Sequence, residues 1–417
     1  MRRTLVPDLL LGARGASSGV GVTIEEGRLI EVGPVHDGER LPGRALAPGF
    51  VNAHSHAFQR GLRGRVERAD HPHDDFWSWR ERMYDLAESL DPVSIREVSE
   101  KCYREMLSAG YTSVAEFHYV HHRPDGEPYE DPNALAKAVA EAAEEVGIRL
   151  MLLPVAYARG GIPRFRDAEV DLFLQRVDAL RGWAKERPLL KVGAAVHSVR
   201  AVPRGWLEKV GEYANQNVLP LHIHADEQPR EIEECQKEHG VQPIELLAKT
   251  GFLGPRTVVV HATHADEHEL GLLAEHGSWV CACPTTEGNL GDGFQLAVGI
   301  LELGIGLCVG SDSHVRLDPF EELREIETNS RRLSGRRNVL VPPGEDSPTP
   351  WLLGAGWQRE GLETGDPADF VEIDLDHPAI ADVEEEDLPS ALVFGAGSGV
   401  VRAAWVAGRR VYARDDG

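Results

Sequence analysis

His54 and His56 stand two positions apart at the end of the apolar run Ala47-Pro-Gly-Phe-Val-Asn-Ala, so on an extended chain both imidazoles project from one face and can chelate one ion. Other apolar segments end in residues of similar chemistry. Leu219-Pro-Leu-His222-Ile-His224 leads into Ala-Asp-Glu227, Val258-Val-Val ends in His261, and Leu307-Cys-Val-Gly-Ser leads to Asp312, Ser313 and His314. Neutral imidazoles with one carboxylate form a borderline donor set suited to Zn²⁺, and a catalytic site of that kind keeps one position for water. The ion would lower the pKa of that water to around 7. Asp312 could take its proton, and Glu227 could pass one to a leaving nitrogen. Each residue also has an ordinary reading. His222, His264 and His314 are expected to be packed or hydrogen-bonded, His118, His121 and His122 to belong to a loop, and Glu227 and Asp312 could instead cap the helices that follow them.

These residues need elements that deliver them to one rim. Strand-like segments fall at about 48–54, 111–117, 149–156, 190–196, 219–224, 257–261, 279–283 and 305–310, with helical stretches between them. Asp91-Pro92 and Asp131-Pro132 open two of those helices, and Gly110 and Gly147 close them. Eight βα units predict a closed, TIM-like (β/α)8 barrel in an α/β protein, in which the carboxyl ends of the strands carry the active site. Short glycine-broken alternations, Gly19-Val-Gly-Val-Thr-Ile and Arg28-Leu-Ile-Glu-Val-Gly, precede it, and similar ones at Ala368–Asp374 and Gly399–Tyr412 follow it. The expected domains are therefore a small β-sandwich built from both termini, residues 1–46 and 366–417, and a barrel over 47–365. Arg336–Pro350 reads as a surface loop.

With 42% hydrophobic and 27% charged residues, the chain has the composition of a soluble globular protein. No apolar run approaches the roughly 20 residues that cross a bilayer. Pro7 and Asp8 interrupt the apolar segment that follows Arg2-Arg3, so a secretory signal is not expected and the cytoplasm is. The five cysteines, Cys102, Cys235, Cys281, Cys283 and Cys308, include no Cys-x-x-Cys pair and are expected to be reduced and structural. A formal net charge of -24 argues against nucleic acid and anionic membrane as partners, and an anionic substrate would need local arginines.

Taken in strand order, His54, His56, His224, Glu227, His261 and Asp312 resemble the site of the amidohydrolase superfamily, in its deaminase-like branch that holds one metal. The resemblance implies that His54, His56, His224 and Asp312 are metal ligands, with Glu227, His261 and Asp312 catalytic, around one divalent ion, Zn²⁺. Binuclear members would show a carboxylated lysine at the end of the fourth strand, where this chain has His197-Ser-Val-Arg200. Longer runs are similar to the formimidoylglutamate deiminase family: His54-Ser-His-Ala-Phe-Gln-Arg60, Phe76-Trp-Ser-Trp-Arg80-Glu-Arg-Met-Tyr84, Ala115-Glu-Phe-His-Tyr119, His261-Ala-Thr-His-Ala-Asp266 and Thr286-Glu-Gly-Asn-Leu-Gly-Asp-Gly293. That similarity implies substrate contacts at Gln59, Arg80, Tyr119, His197 and Arg200. It also implies hydrolysis of N-formimino-L-glutamate to N-formyl-L-glutamate and ammonia in histidine degradation. The partner expected is thus a small dicarboxylate amidine, with a homodimer as the assembly to test. Rival readings are deimination of formiminoaspartate, deamination of a guanine-like ring, and a barrel that binds a small ligand or metal without turnover.

Overall fold

A computed structural model describes residues 2–35, 37–68 and 74–414. Its centre is a parallel sheet whose strands follow one another in chain order: Phe50–Ser55, Tyr111–His118, Arg149–Ala156, a broken fourth strand, Leu221–Ala225, Thr257–His261, Trp279–Ala282 and Gly306–Val309. The fourth strand is split into Leu190–Val192 and Ala194–Ser198 around Gly193, where a Cβ would stand 2.8 Å from the carbonyl oxygen of Pro220 and 2.7 Å from Leu153. The strands are largely apolar and buried toward their carboxyl ends because helices cover their outer sides, as the all-parallel arrangement requires.

The eighth strand closes on the first at the site itself. Asp312 N–H donates to the carbonyl of His54 at 3.0 Å, His56 N–H donates to the carbonyl of Asp312 at 3.1 Å, and Ser55 and Asp312 form a parallel bridge. This is a TIM-like (β/α)8 barrel. Gly310 permits the closure, since a Cβ there would lie 2.6 Å from His54 Cβ and 2.9 Å from His54 N.

Helix signals in the sequence act much as expected. Asp91 caps Pro92–Ala109 through a capping box with Ser94, and Gly110 and Gly147 end their helices with φ of 102° and 84°. The Asp131-Pro132 expectation is corrected by a few residues. The helix is Ala134–Val146 with Asn133 as its cap, while Asp131 instead accepts from Asn133 N–H and pairs with Lys137. Glu227 and Asp312 cap nothing: the helices after them are capped at Gln228 and at Asp318, and only Asp318 does so with its side chain.

The terminal strands Arg3–Gly12, Gly15–Ser18, Val20–Glu25, Arg28–Pro34 and Glu39–Pro48 pair with Phe370–Asp374, Val401–Val406 and Arg409–Ala413 in one continuous eight-stranded sheet. Val20–Glu25 and Arg28–Pro34 form a hairpin whose turn residues Glu26 and Gly27 have φ of 50° and 77°, the hand that matches strand twist. Phe370 stacks on Trp405 at 5.3 Å at the heart of this sheet's own small core. Glu39–Pro48 then passes through Gly49 directly into the first barrel strand, so the sheet anchors the strand that carries His54 and His56. All five cysteines are free and buried. No helix among the described residues is long and apolar enough to cross a membrane.

Candidate metal centre and cavity

His54 lies at the end of the first barrel strand and His56 just past it, His224 lies at the end of the fifth and His261 ends the sixth, and Asp312 follows the eighth. All are buried. The ligand atoms of His54, His56 and His224 lie within 4.8 Å of one another. Asp312 Oδ1 stands 3.3 Å from His56 Nε2 and 3.5 Å from His54 Nε2. Burial holds His54 and His224 well below the usual imidazole range and brings His56 to about 3, so all three rings are neutral and offer lone pairs. His56 Nδ1 lies 2.9 Å from the carbonyl of Phe117, which as an acceptor fixes the proton there and leaves Nε2 free to face the cluster.

A cation fits this donor set. His54 Nε2 and His224 Nε2 face each other at 3.0 Å, a contact in which at most one nitrogen carries a proton. His54 Nδ1 is buried without a partner. A divalent ion would satisfy the converging lone pairs. His261, Cys283 and Asp312 form a second group with ligand atoms within 4.8 Å, but burial raises the Cys283 thiol, which disfavours the thiolate a metal needs. Lys191 is exposed at the amino end of the fourth strand, away from any bridging position.

The proton-handling groups lie beside the cluster. Burial pushes Glu227 up to about 7. Burial pulls His261 down, but Glu227, Glu287 and Asp312 outweigh it and raise it to about 10. His261 Nε2 is 3.7 Å from Glu227 Oε1 and 3.9 Å from Asp312 Oδ2, while its Nδ1 faces Glu287 Oε1 at 3.3 Å. Several rim residues other than glycine have left-handed φ: 73° at His261, 42° at Asp312 and 59° at His314. Backbone strain of this kind accumulates where a side chain must be aimed against its local preference.

A cavity of about 220 Å³ opens above these groups, and Gln59, Arg80, Tyr119, His197 and Arg200 line it together with His56, His224, Glu227, His261 and Asp312. His54 lies beneath, packed on Phe117. Gln59 donates to Tyr119 Oη at 2.8 Å, leaving its buried Oε1 unpartnered. Arg80 Nε and Arg200 Nε also lack hydrogen-bond partners. Arg200 approaches Glu227 and Glu231 only at 3.8 and 3.6 Å. Two guanidiniums with spare donors at a cavity wall suit a carboxylate guest.

The histidines expected to be packed, hydrogen-bonded or in a loop are held by the fold. His264 faces the carbonyl of Asp292 at 2.8 Å, His121 that of Val155 at 2.8 Å, and His122 stands 3.6 Å from Asp167. His118 is the last residue of the second strand and not part of the loop after it, and both it and His222 are buried. His314 belongs to a directed chain beneath the site. Asn52 Nδ2 donates to Ser311 Oγ at 2.6 Å and Ser55 Oγ donates to Glu116 Oε2 at 2.6 Å, with His314 between them at 2.9 Å from Ser311 Oγ and 3.1 Å from Ser55 Oγ. Ala57 N–H also donates to Glu116, at 2.8 Å. Sequence reasoning assigned no role to Glu116, although a carboxylate inside an apolar strand is a signal that a buried partner exists. It also gave none to Glu287, for which only the three-dimensional contact with His261 speaks.

The sequence model of the amidohydrolase family matches residues 45–345. Formimidoylglutamate deiminase of Pseudomonas aeruginosa is 39% identical over 408 residues, covering 93% of this chain and 89% of that protein. Among solved structures, an amidohydrolase from Brucella melitensis superposes with a TM-score of 0.88 at 32% identity, over 98% of this chain and 94% of that one. An adenosine deaminase from Xanthomonas campestris with bound zinc reaches 0.83 at 23% identity, over 98% and 92% of the two chains, a likeness of fold.

Proposed function

This chain belongs to the amidohydrolase family, and from that premise we propose that it hydrolyses N-formimino-L-glutamate to N-formyl-L-glutamate and ammonia, a step of histidine degradation. It is a metal-dependent hydrolase of C–N bonds outside peptides, acting on a small molecule. The carrying observation is one cavity that joins a cluster of neutral imidazoles, an acid–base pair and two arginines with unused donors. His54, His56, His224 and Asp312 would hold a single divalent ion, Zn²⁺, which when bound supplies a water-derived nucleophile at neutral pH.

The protein's own groups account for the rest. Arg80 and Arg200 grip carboxylates and orient the formimino carbon toward the buried pole, with Gln59, Tyr119 and His197 shaping the wall. Asp312 accepts a proton from the attacking water. His261, cationic between Glu227 and Glu287, donates to the oxygen that gains charge as the carbon becomes tetrahedral. Glu227 carries a proton near neutrality and delivers it to the formimino nitrogen, whose second proton is the one Asp312 removed from water. The hydroxyl left on carbon returns its proton to Glu227 as the C–N bond breaks, so that ammonia leaves and the formyl C=O remains.

An acyclic dianion is favoured over a flat purine-like ring because both arginines reach the cavity. A barrel that only binds ligand would have no need of the Glu227–His261 pair. The test incubates metal-replete protein with N-formimino-L-glutamate, its aspartate analogue and guanine, and follows ammonia. Release is expected from the first in preference to the second; release from guanine alone would overturn the assignment.

A further inference from the structure

Three guanidinium groups gather round one indole at the cavity mouth. Arg80 Cζ and Arg230 Cζ each lie 4.5 Å from the Trp77 ring centroid, and Arg200 Cζ lies 5.5 Å from it. Like charges repel, and a chain with a net charge of -24 offers acidic surroundings elsewhere for every cation. The indole face offsets part of that repulsion without explaining why the charges meet there.

Arg230 is the member whose position the fold does not require. It is the second residue of the helix Pro229–His239, where the amino-terminal dipole disfavours a cation. Its side chain is 60% exposed, so it fills no core. Nε donates to Glu234 Oε1 at 2.8 Å, and Arg230 and Glu234 both line the cavity mouth, three and seven residues after Glu227. A surface pair of that kind contributes little to stability. A residue set against the helix dipole and beside two other cations is a local conflict of the kind that marks function.

We propose that Arg230 is a specificity-determining residue that grips the substrate's outer carboxylate, exchanging Glu234 for it. This rests on the reading that the substrate is an acyclic diacid amidine. With the formimino end at the metal cluster, Arg80 and Arg200 hold the chain within the cavity while Arg230 closes on the carboxylate nearest solvent. Trading one carboxylate partner for another keeps the guanidinium's charge neutralised, so capture needs only a side-chain rotation.

The test uses the full-length, metal-replete protein, the R230Q and E234Q variants and their double variant. The substrates are N-formimino-L-glutamate and its side-chain amide, N-formimino-L-glutamine. R230Q should raise KM for the diacid roughly tenfold with kcat nearly unchanged, and leave the amide unaffected. E234Q should lower KM for the diacid, and that gain should vanish in the double variant because it acts through Arg230. An unchanged KM in R230Q, or equal losses on both substrates, would overturn the proposal alone. A parent protein inert toward the diacid would remove the functional reading and this inference with it.

Discussion

At the scale of residues, holding the ion and moving protons are separable tasks, and Glu116 and Glu227 divide them. Glu116 is not among the residues that line the cavity. It receives Ser55 O–H and Ala57 N–H on either side of His56, and burial pushes it up to about 7. Replacing it by Gln puts an amide N–H against one of those donors and reverses the sense of the chain through Ser55 and His314. Glu116→Gln should therefore lose metal affinity about 10–100-fold while remaining folded. Glu227→Gln should do the opposite, keeping its metal while turnover falls by orders of magnitude. Metal content after dialysis against a weak chelator, read beside ammonia release, separates the two. Parental metal retention in Glu116→Gln would show that the strand end is aimed by something else.

At the scale of elements, the seam between the first and eighth strands decides whether the cluster exists. Gly310 is a close approach in that seam, with His54 Cβ, O and N at 2.6, 2.8 and 2.9 Å from where its Cβ would be. Two of those atoms are backbone, so the neighbour cannot rotate away. Gly310→Ala should cost about 1–3 kcal/mol and weaken metal binding together, seen as a lower melting temperature and a lower metal content. A variant equal to the parent in both would mean that the strands have room to spare. Much of the barrel was legible in the chain, because an apolar run ending in His, Glu or Asp is an unusual pattern that strand geometry alone makes sensible. The seam was not. Asn52 and Ser311, or Ser55 and His314, are 259 residues apart, and no local periodicity reveals that they touch. The broken fourth strand was hidden for a similar reason, since what crowds Gly193 is Leu153 of the third strand and Pro220 just before the fifth.

At the scale of the whole molecule, the stability of the fold should depend on pH through carboxyl groups that burial keeps protonated. Glu269, which lies outside the cavity and faces buried Asp226, is one such case. It sits in the first turn of Glu267–His276, accepts Ile244 N–H at 3.0 Å at the start of Pro243–Lys249, and so ties two outer helices together. Burial raises it from an ordinary carboxyl value to about 7. The folded chain therefore binds this proton more tightly than the unfolded one, and unfolding releases it between roughly pH 4.5 and 7. Its contribution is fully present below that window and is lost as pH rises through 7. Gln mimics the protonated acid and keeps the acceptor for Ile244. Glu269→Gln should thus melt with the parent at pH 5 and a few degrees above it at pH 8, the gain corresponding to a few kcal/mol at most. Melting curves of both proteins at the two pH values decide the matter, and a difference that does not change with pH would show that Glu269 titrates no differently in the fold than in the open chain.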